Sequence, residues 1–270
     1  MSRFSRQRLQ GAVFRHVFGN RFPSFLLPSE LRLLVQMRRG SSISFMTTLS
    51  MAYATEYDIP YRWTPDDVLF SKQKHRHTIP RDGRSVWAIA TPLDARSLSF
   101  RRAPFYTSHF STTLSECGSG KAFVRLRNPY DQFRSHSASL KLQGVAADKS
   151  DCIAFGYLED FVNNLESSTI PLTIVRAEHY FEDKFPQLRE CFDFFDVAVS
   201  NQRISNAVSQ YTSFETQWSE LPAEPLVDDG KRTARKSYKA KYLPIEADRL
   251  DQLDRLVRST ILSDYYSIGA

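Results

Sequence analysis

The 270-residue chain has little of what several protein classes require. Its three cysteines, Cys117, Cys152 and Cys191, are odd in number and far apart. That excludes a disulfide scaffold and a four-cysteine zinc site, and it suits a reducing compartment. No apolar run approaches the roughly 18–20 residues of a membrane span; patches such as Phe25-Leu26-Leu27 are far shorter. The cationic start, Met1 to Arg6, has no apolar core behind it, which argues against a secretory signal. No block of five or six consecutive cations occurs, so a disordered nucleic-acid tail is not indicated. Internal repeats and a clear linker are also missing, and one domain over 1–270 is expected.

What is present describes a folded chain. Hydrophobic residues make up 41% and charged residues 24%, ordinary values for a globular domain with a sizeable core. The net charge is +6, and its cations gather at 38–39, 101–102, 125–134 and 231–241. Separate cationic loops of this kind suit convergence on one phosphate-rich ligand.

The apolar pattern predicts strands alternating with helices. Residues 1–24 form a basic lead-in with Phe14, Val17 and Phe18 at helical spacing. It reads as a surface helix, and its pattern also suits a weak peripheral contact with an anionic membrane. A buried strand is expected over 31–37 and a helix over 43–56. Proline-broken, irregular chain is expected over 57–104. Lys121-Ala-Phe-Val-Arg-Leu-Arg127 alternates as a strand, and 131–142 follows as a helix after Asn128-Pro129. Further helices are expected over 153–165, 185–195 and 245–262, a strand over 171–176, and a loop over 220–241. Alternation of this sort implies an α/β fold: a parallel β-sheet flanked by helices.

Two segments carry binding chemistry. Where a strand ends in a small-residue loop that opens a helix, the first N–H groups and the helix dipole face an anion. Arg38, Arg39, Gly40, Ser41, Ser42 and Ser44 stand at such a junction. Gly118-Ser-Gly-Lys121 imitates a triphosphate loop but has Ser115 and Ala122 at two essential positions and precedes a strand, so it is rejected. The second segment is Arg127-Asn128-Pro129-Tyr130-Asp131, with Ser135 two turns into the helix. Arg127 and Ser135 can grip one phosphate from two sides, by charge and by a hydroxyl.

These residues resemble the sulfotransferases that use 3′-phosphoadenosine 5′-phosphosulfate (PAPS). Arg127, Asn128, Pro129, Asp131 and Ser135 match the family's 3′-phosphate motif at its spacing. Residues 38–42 are similar to its 5′-phosphosulfate loop, closest to the form in carbohydrate sulfotransferases, with Arg39 where a small residue is usual. Ile174-Val-Arg-Ala-Glu178 and Asp264-Tyr265-Tyr266 are similar to later family segments.

The resemblance implies a P-loop-like sulfotransferase fold and PAPS as donor, with no metal required. It implies a hydroxyl acceptor, a saccharide or a related compound, contacted from 57–104 and 198–228. Arg38 would act on the transferring group, and His109, at the end of a strand 18 residues before Arg127, would be the base. Asp66, Asp67 and Glu56 are the carboxylate alternatives. Arg235 and Lys236, with Lys231 and Arg232 beside them, would close over the 3′-phosphate. A soluble cytoplasmic enzyme that binds no nucleic acid is expected. His75 and His77, flanked by cations, read as a solvated loop, and His136 reads as packing. Two other classes remain open: a non-catalytic basic module for nucleic acid or anionic membrane, and a nucleotide kinase, which the missing Gly-Lys-Ser/Thr disfavours.

Overall fold

The computed structural model describes residues 32–37, 42–58, 91–92, 105–108, 114, 120–142, 144–220 and 244–268. Outside them lie the lead-in, residues 38–41, most of 57–104, His109 and the cationic segment at 231–241. Among the described residues, no helix is long and apolar enough to cross a membrane.

Among the described residues, five parallel strands form the sheet: β1 (Arg32–Gln36), β2 (Thr91–Pro92), β3 (Tyr106–Ser108), β4 (Lys121–Leu126) and β5 (Leu172–Arg176), in the order β2-β3-β1-β4-β5. Parallel neighbours need crossover helices, and these cover both faces. The helices are α1 (Ser42–Glu56), α2 (Pro129–Leu142), α3 (Ala147–Glu166), the short α4 (His179–Glu182), α5 (Lys184–Phe194), α6 (Asn201–Glu220) and α7 (Ala247–Ser259). The expected parallel sheet flanked by helices is therefore what the chain builds.

One face of the sheet packs Leu34, Phe123 and Val175 against Phe45, Leu49 and Ala52 of α1, Leu188 and Phe192 of α5, and Ile204, Ala207 and Tyr211 of α6. The other packs Leu33, Val35, Val124 and Leu126 against Tyr130 and Phe133 of α2, Leu158 and Phe161 of α3, and Leu253 and Val257 of α7. Each fully buried Leu, Val or Phe side chain contributes about 1.5–3 kcal/mol relative to exposure.

The structure departs from the sequence pattern at two places. β4 is not half-solvated as its alternation suggests: every residue from Ala122 to Leu126 is buried, Arg125 included, because helices cover both sides. Residues 201–220, for which no element was foreseen, form the long helix α6. Among the described residues, Ile204, Ala207 and Tyr211 are its buried core hydrophobics, an i, i+3, i+7 stripe set among Ser, Gln and Asn.

The topology also fixes where a ligand can sit. β1 and β4 are neighbours, with Gln36 beside Arg125, yet α1 and α2, which follow them, lie on opposite faces. The two chains part at the carboxyl ends of these strands. In open parallel sheets that crevice is where ligands bind.

Candidate functional site

On the β4 side the crevice is built by a capped turn. Asn128 precedes α2, and its Oδ1 accepts from the N–H groups of Tyr130 (3.0 Å) and Asp131 (3.2 Å). Pro129 takes the first helical position, where its missing N–H costs nothing. Asp131 in the first turn favours the dipole and pairs with Arg134 at 3.4 Å. Arg127 therefore leaves the sheet immediately before a rigid helix start, and its own N–H lies 3.4 Å from Met37 Sδ at the end of β1. Ser135, six residues beyond Pro129, is 4% exposed, about 9 Å up the helix axis.

Glu178, just past β5, holds this turn from behind. One carboxylate oxygen accepts the Asn128 N–H at 2.7 Å, and the other accepts the Tyr266 hydroxyl at 2.9 Å. Tyr266 also lies over the Arg176 guanidinium, 5.1 Å from ring centroid to Cζ. Burial first, then the Glu178 charge, push its phenol well above the usual range, so it remains a donor. The β4–α2 turn, the end of β5 and the chain after α7 thus share one carboxylate. Glu178→Ala would leave both donors without an acceptor and is expected to cost about 2–4 kcal/mol in denaturant unfolding, as hydrogen bonds to a charged group do. Glu178→Gln should cost less, since its amide can accept from Asn128 while the Tyr266 hydroxyl turns to accept from it.

On the β1 side, Met37 N–H donates to Arg125 O at 3.3 Å, so β1 leaves the sheet beside Leu126 and Arg127. Arg38, Arg39, Gly40 and Ser41 lie outside the described residues, and Ser42 opens α1. Ser44 is 6% exposed; its hydroxyl donates to the Tyr180 hydroxyl at 3.4 Å. Tyr180 in turn donates to Thr48 Oγ1 at 2.9 Å, pinning the first turns of α1 to the chain beyond β5. His109 directly follows β3, whose last residue, Ser108, registers with Val35 of β1; His109 itself is outside the described residues, as are Arg235, Lys236, Lys231, Arg232, Asp66 and Asp67.

The remaining alternatives have other work. Glu56 ends α1, some 21 Å from the start of that helix by its rise per residue. Its carboxylate accepts from Ser200 N–H (2.9 Å) and Oγ (2.8 Å), which hold it below the usual carboxylate range and cap α6. That removes it as a base for chemistry at the crevice. Lys121 of the decoy starts β4 and pairs with Asp196, after Gly120 turns the chain at φ +116°. His136 packs its ring edge-on against Tyr157 at 5.1 Å, as expected of a packing residue.

Two polar residues at the crevice were not singled out by sequence. Gln132, one turn before Ser135, is fully buried, and neither of its amide atoms has a hydrogen-bond partner among the described residues. Such a group calls for water or a ligand. Arg125, beneath the turn, is wholly buried. Arg125 could have been found as a cation inside the apolar run of β4; Gln132 stands at an unspecified position of the 127–135 segment and carries no signal of its own.

No protein-family model matches the chain, and no curated protein matches its sequence. Solved structures do resemble it. A mouse sulfotransferase complexed with PAP aligns over 96% of this chain and 90% of its own, at TM-score 0.46 and 12% identity. A retinol dehydratase in complex with androsterone and the inactive cofactor PAP aligns over 94% and 85%, at 0.42 and 12%. A sulfotransferase from Alicyclobacillus acidocaldarius aligns over 86% and 92%, at 0.38 and 12%.

Proposed function

We propose that the chain is a sulfotransferase that moves a sulfuryl group from PAPS to a hydroxyl, with a saccharide or related compound as acceptor. The observation that supports this best is the β1–β4 crevice. Two neighbouring parallel strands send their helices to opposite faces. One strand precedes the Arg38 to Ser42 loop, and the other ends in the capped Arg127-Asn128-Pro129 turn with Ser135 beyond it.

In this reading Arg127 and Ser135 hold the 3′-phosphate, and Arg235 and Lys236 close over it. The 38–42 loop and the start of α1 hold the 5′ end by N–H groups, hydroxyls and charge. The acceptor oxygen attacks sulfur in line with the bond to the 5′-phosphate. An O–S bond forms, the bridging S–O bond breaks, and its electron pair leaves on the phosphate. His109 takes the acceptor's proton, and Arg38 faces the charge growing on the leaving oxygen. These steps require no metal. Acceptor contacts fall to 57–104 and 198–228; no nucleic acid partner is invoked, and the enzyme works in the cytoplasm.

Calorimetric titration with adenosine 3′,5′-bisphosphate, with and without Mg²⁺, tests the reading. Binding is expected without the metal, and tighter than that of adenosine 5′-monophosphate. Arg127→Ala should weaken the bisphosphate by about 10–150-fold, the range for a charge-assisted hydrogen bond, and erase most of that preference. A variant that keeps the wild-type preference would show the 3′-phosphate assignment to be wrong. A wild-type protein that binds neither nucleotide would instead favour a basic binding module. Sulfation assays with saccharides against phenols and sterols then decide the acceptor class.

A further inference from the structure

The last described stretch of the chain returns to the β4–α2 turn and grips it at two places. α7 and the 3₁₀ turn Ile261–Asp264 form a docked unit, with Leu253, Leu256, Val257 and Leu262 buried in the core that α2 and α3 also share. Glu166, the last residue of α3, accepts the Ile261 N–H at 2.7 Å and fixes the entry to that turn. From this base, Asp254 Oδ1 accepts the Tyr130 hydroxyl at 2.5 Å. The Tyr266 hydroxyl donates to one oxygen of Glu178 at 2.9 Å, while the other oxygen of Glu178 holds the Asn128 N–H.

Both ties land on residues 128–130, which separate the strand end at Arg127 from the helix that carries Ser135. They span long stretches of chain: 124 residues from Tyr130 to Asp254 and 88 from Glu178 to Tyr266. Tyr130 and Tyr266 are 1% and 5% exposed, and phenylalanine would fill the same space without needing a partner. A buried polar pair often adds little stability over an apolar isostere; a satisfied one adds a fixed geometry. Here the geometry held is the angle between β4 and α2, and with it the distance from Arg127 to Ser135. Two groups that bond one phosphate from opposite sides tolerate little error in that distance, because charge-assisted bonds are short and weaken steeply off line.

We propose that Asp254 and Tyr266 are positioning residues for the phosphate gripped by Arg127 and Ser135, so that the segment 254–266 belongs to the donor site without touching the donor. This rests on the sulfotransferase reading above. Coupling of this kind is reciprocal: if the two ties favour the arrangement that binds the phosphate, the bound phosphate favours the tied state.

The test compares adenosine 3′,5′-bisphosphate with adenosine 5′-monophosphate, which lacks the 3′-phosphate. Tyr266→Phe removes one tie and keeps the ring over Arg176; Asp254→Ala removes the other, and Asp254→Asn keeps an acceptor for Tyr130. In the Tyr266→Phe/Asp254→Ala double variant the preference for the bisphosphate is expected to fall by about fivefold or more, the lower end of ordinary coupling between sites, while 5′-monophosphate affinity changes by less than about twofold. Asp254→Asn should keep the wild-type preference. In the wild type, hydrogen exchange at the Ile261, Tyr265 and Tyr266 amides should slow with the bisphosphate and not with the 5′-monophosphate. Equal weakening of both nucleotides would mean a structural role only. An unchanged preference in the folded double variant would mean that the ties do not reach the site, and a loss in Asp254→Asn as large as in Asp254→Ala would mean that the charge acts and not the tie. Any of these results overturns the proposal. Should the double variant fail to fold, exchange in the wild type decides, and equal protection by both nucleotides, or none, overturns it as well. If the wild type binds neither nucleotide, or both alike, the sulfotransferase reading falls separately. Inorganic phosphate then replaces the nucleotides: it should slow exchange at the same three amides, and no change there overturns the positioning proposal too.

Discussion

His109→Ala is expected to lower turnover by about 10²–10⁴-fold, a general base's usual share, while donor affinity stays near that of the wild type. A sugar hydroxyl is a weak nucleophile while it keeps its proton, and imidazole is the side chain whose ordinary pKa, about 6.5, lies nearest neutrality. His109 directly follows a strand paired to β1: β3 ends at Ser108, in register with Val35. His136 is buried against Tyr157, and His179 opens α4 beyond β5, at the far edge from β3. The wild-type rate should rise with pH through one ionisation between about 6 and 8, and His109→Asn should not restore it. Glu56 ends α1, the whole length of that helix from the crevice, and is bonded to Ser200. If His109→Ala keeps more than about a tenth of the activity, short of even the smallest share expected of a base, the role passes to Asp66 or Asp67.

Arg38→Ala is expected to cost about 10²–10³-fold in turnover and much less in donor affinity. As the bridging S–O bond breaks, negative charge grows on the phosphate oxygen, and a cation there acts mainly in the transition state. Arg38 is the next residue after Met37, whose N–H is bonded to Arg125 O where β1 ends. Single-turnover rates and calorimetry on the same variant separate the two effects. A loss confined to affinity would make Arg38 a ground-state anchor for the 5′ end instead.

Much of the local structure was legible from short-range pattern. The apolar run ending at Met37, the Asn128-Pro129 cap and the stripe Leu250, Leu253, Val257 each state their element within a few residues, because capping and periodicity are local physics. The two segments proposed to hold the donor were legible for the same reason: each is a strand end, a turn and a helix start contiguous in sequence. α6 was not, since Ile204, Ala207 and Tyr211 are buried only because α1 and α5 come to lie across them.

What the chain's own order cannot state is which strands become neighbours. β4 pairs with β1 some ninety residues earlier, and that adjacency makes a crevice of two separate loops. The same distant contacts decide Arg125. Alternation along β4 makes it look like a surface cation, and the rings and amides that enclose it come from Gln36, Phe45, Tyr180 and Gln187. A sequence pattern records which side of a strand a residue faces. Whether that side meets water depends on what folds over it, and only the tertiary structure supplies the cover.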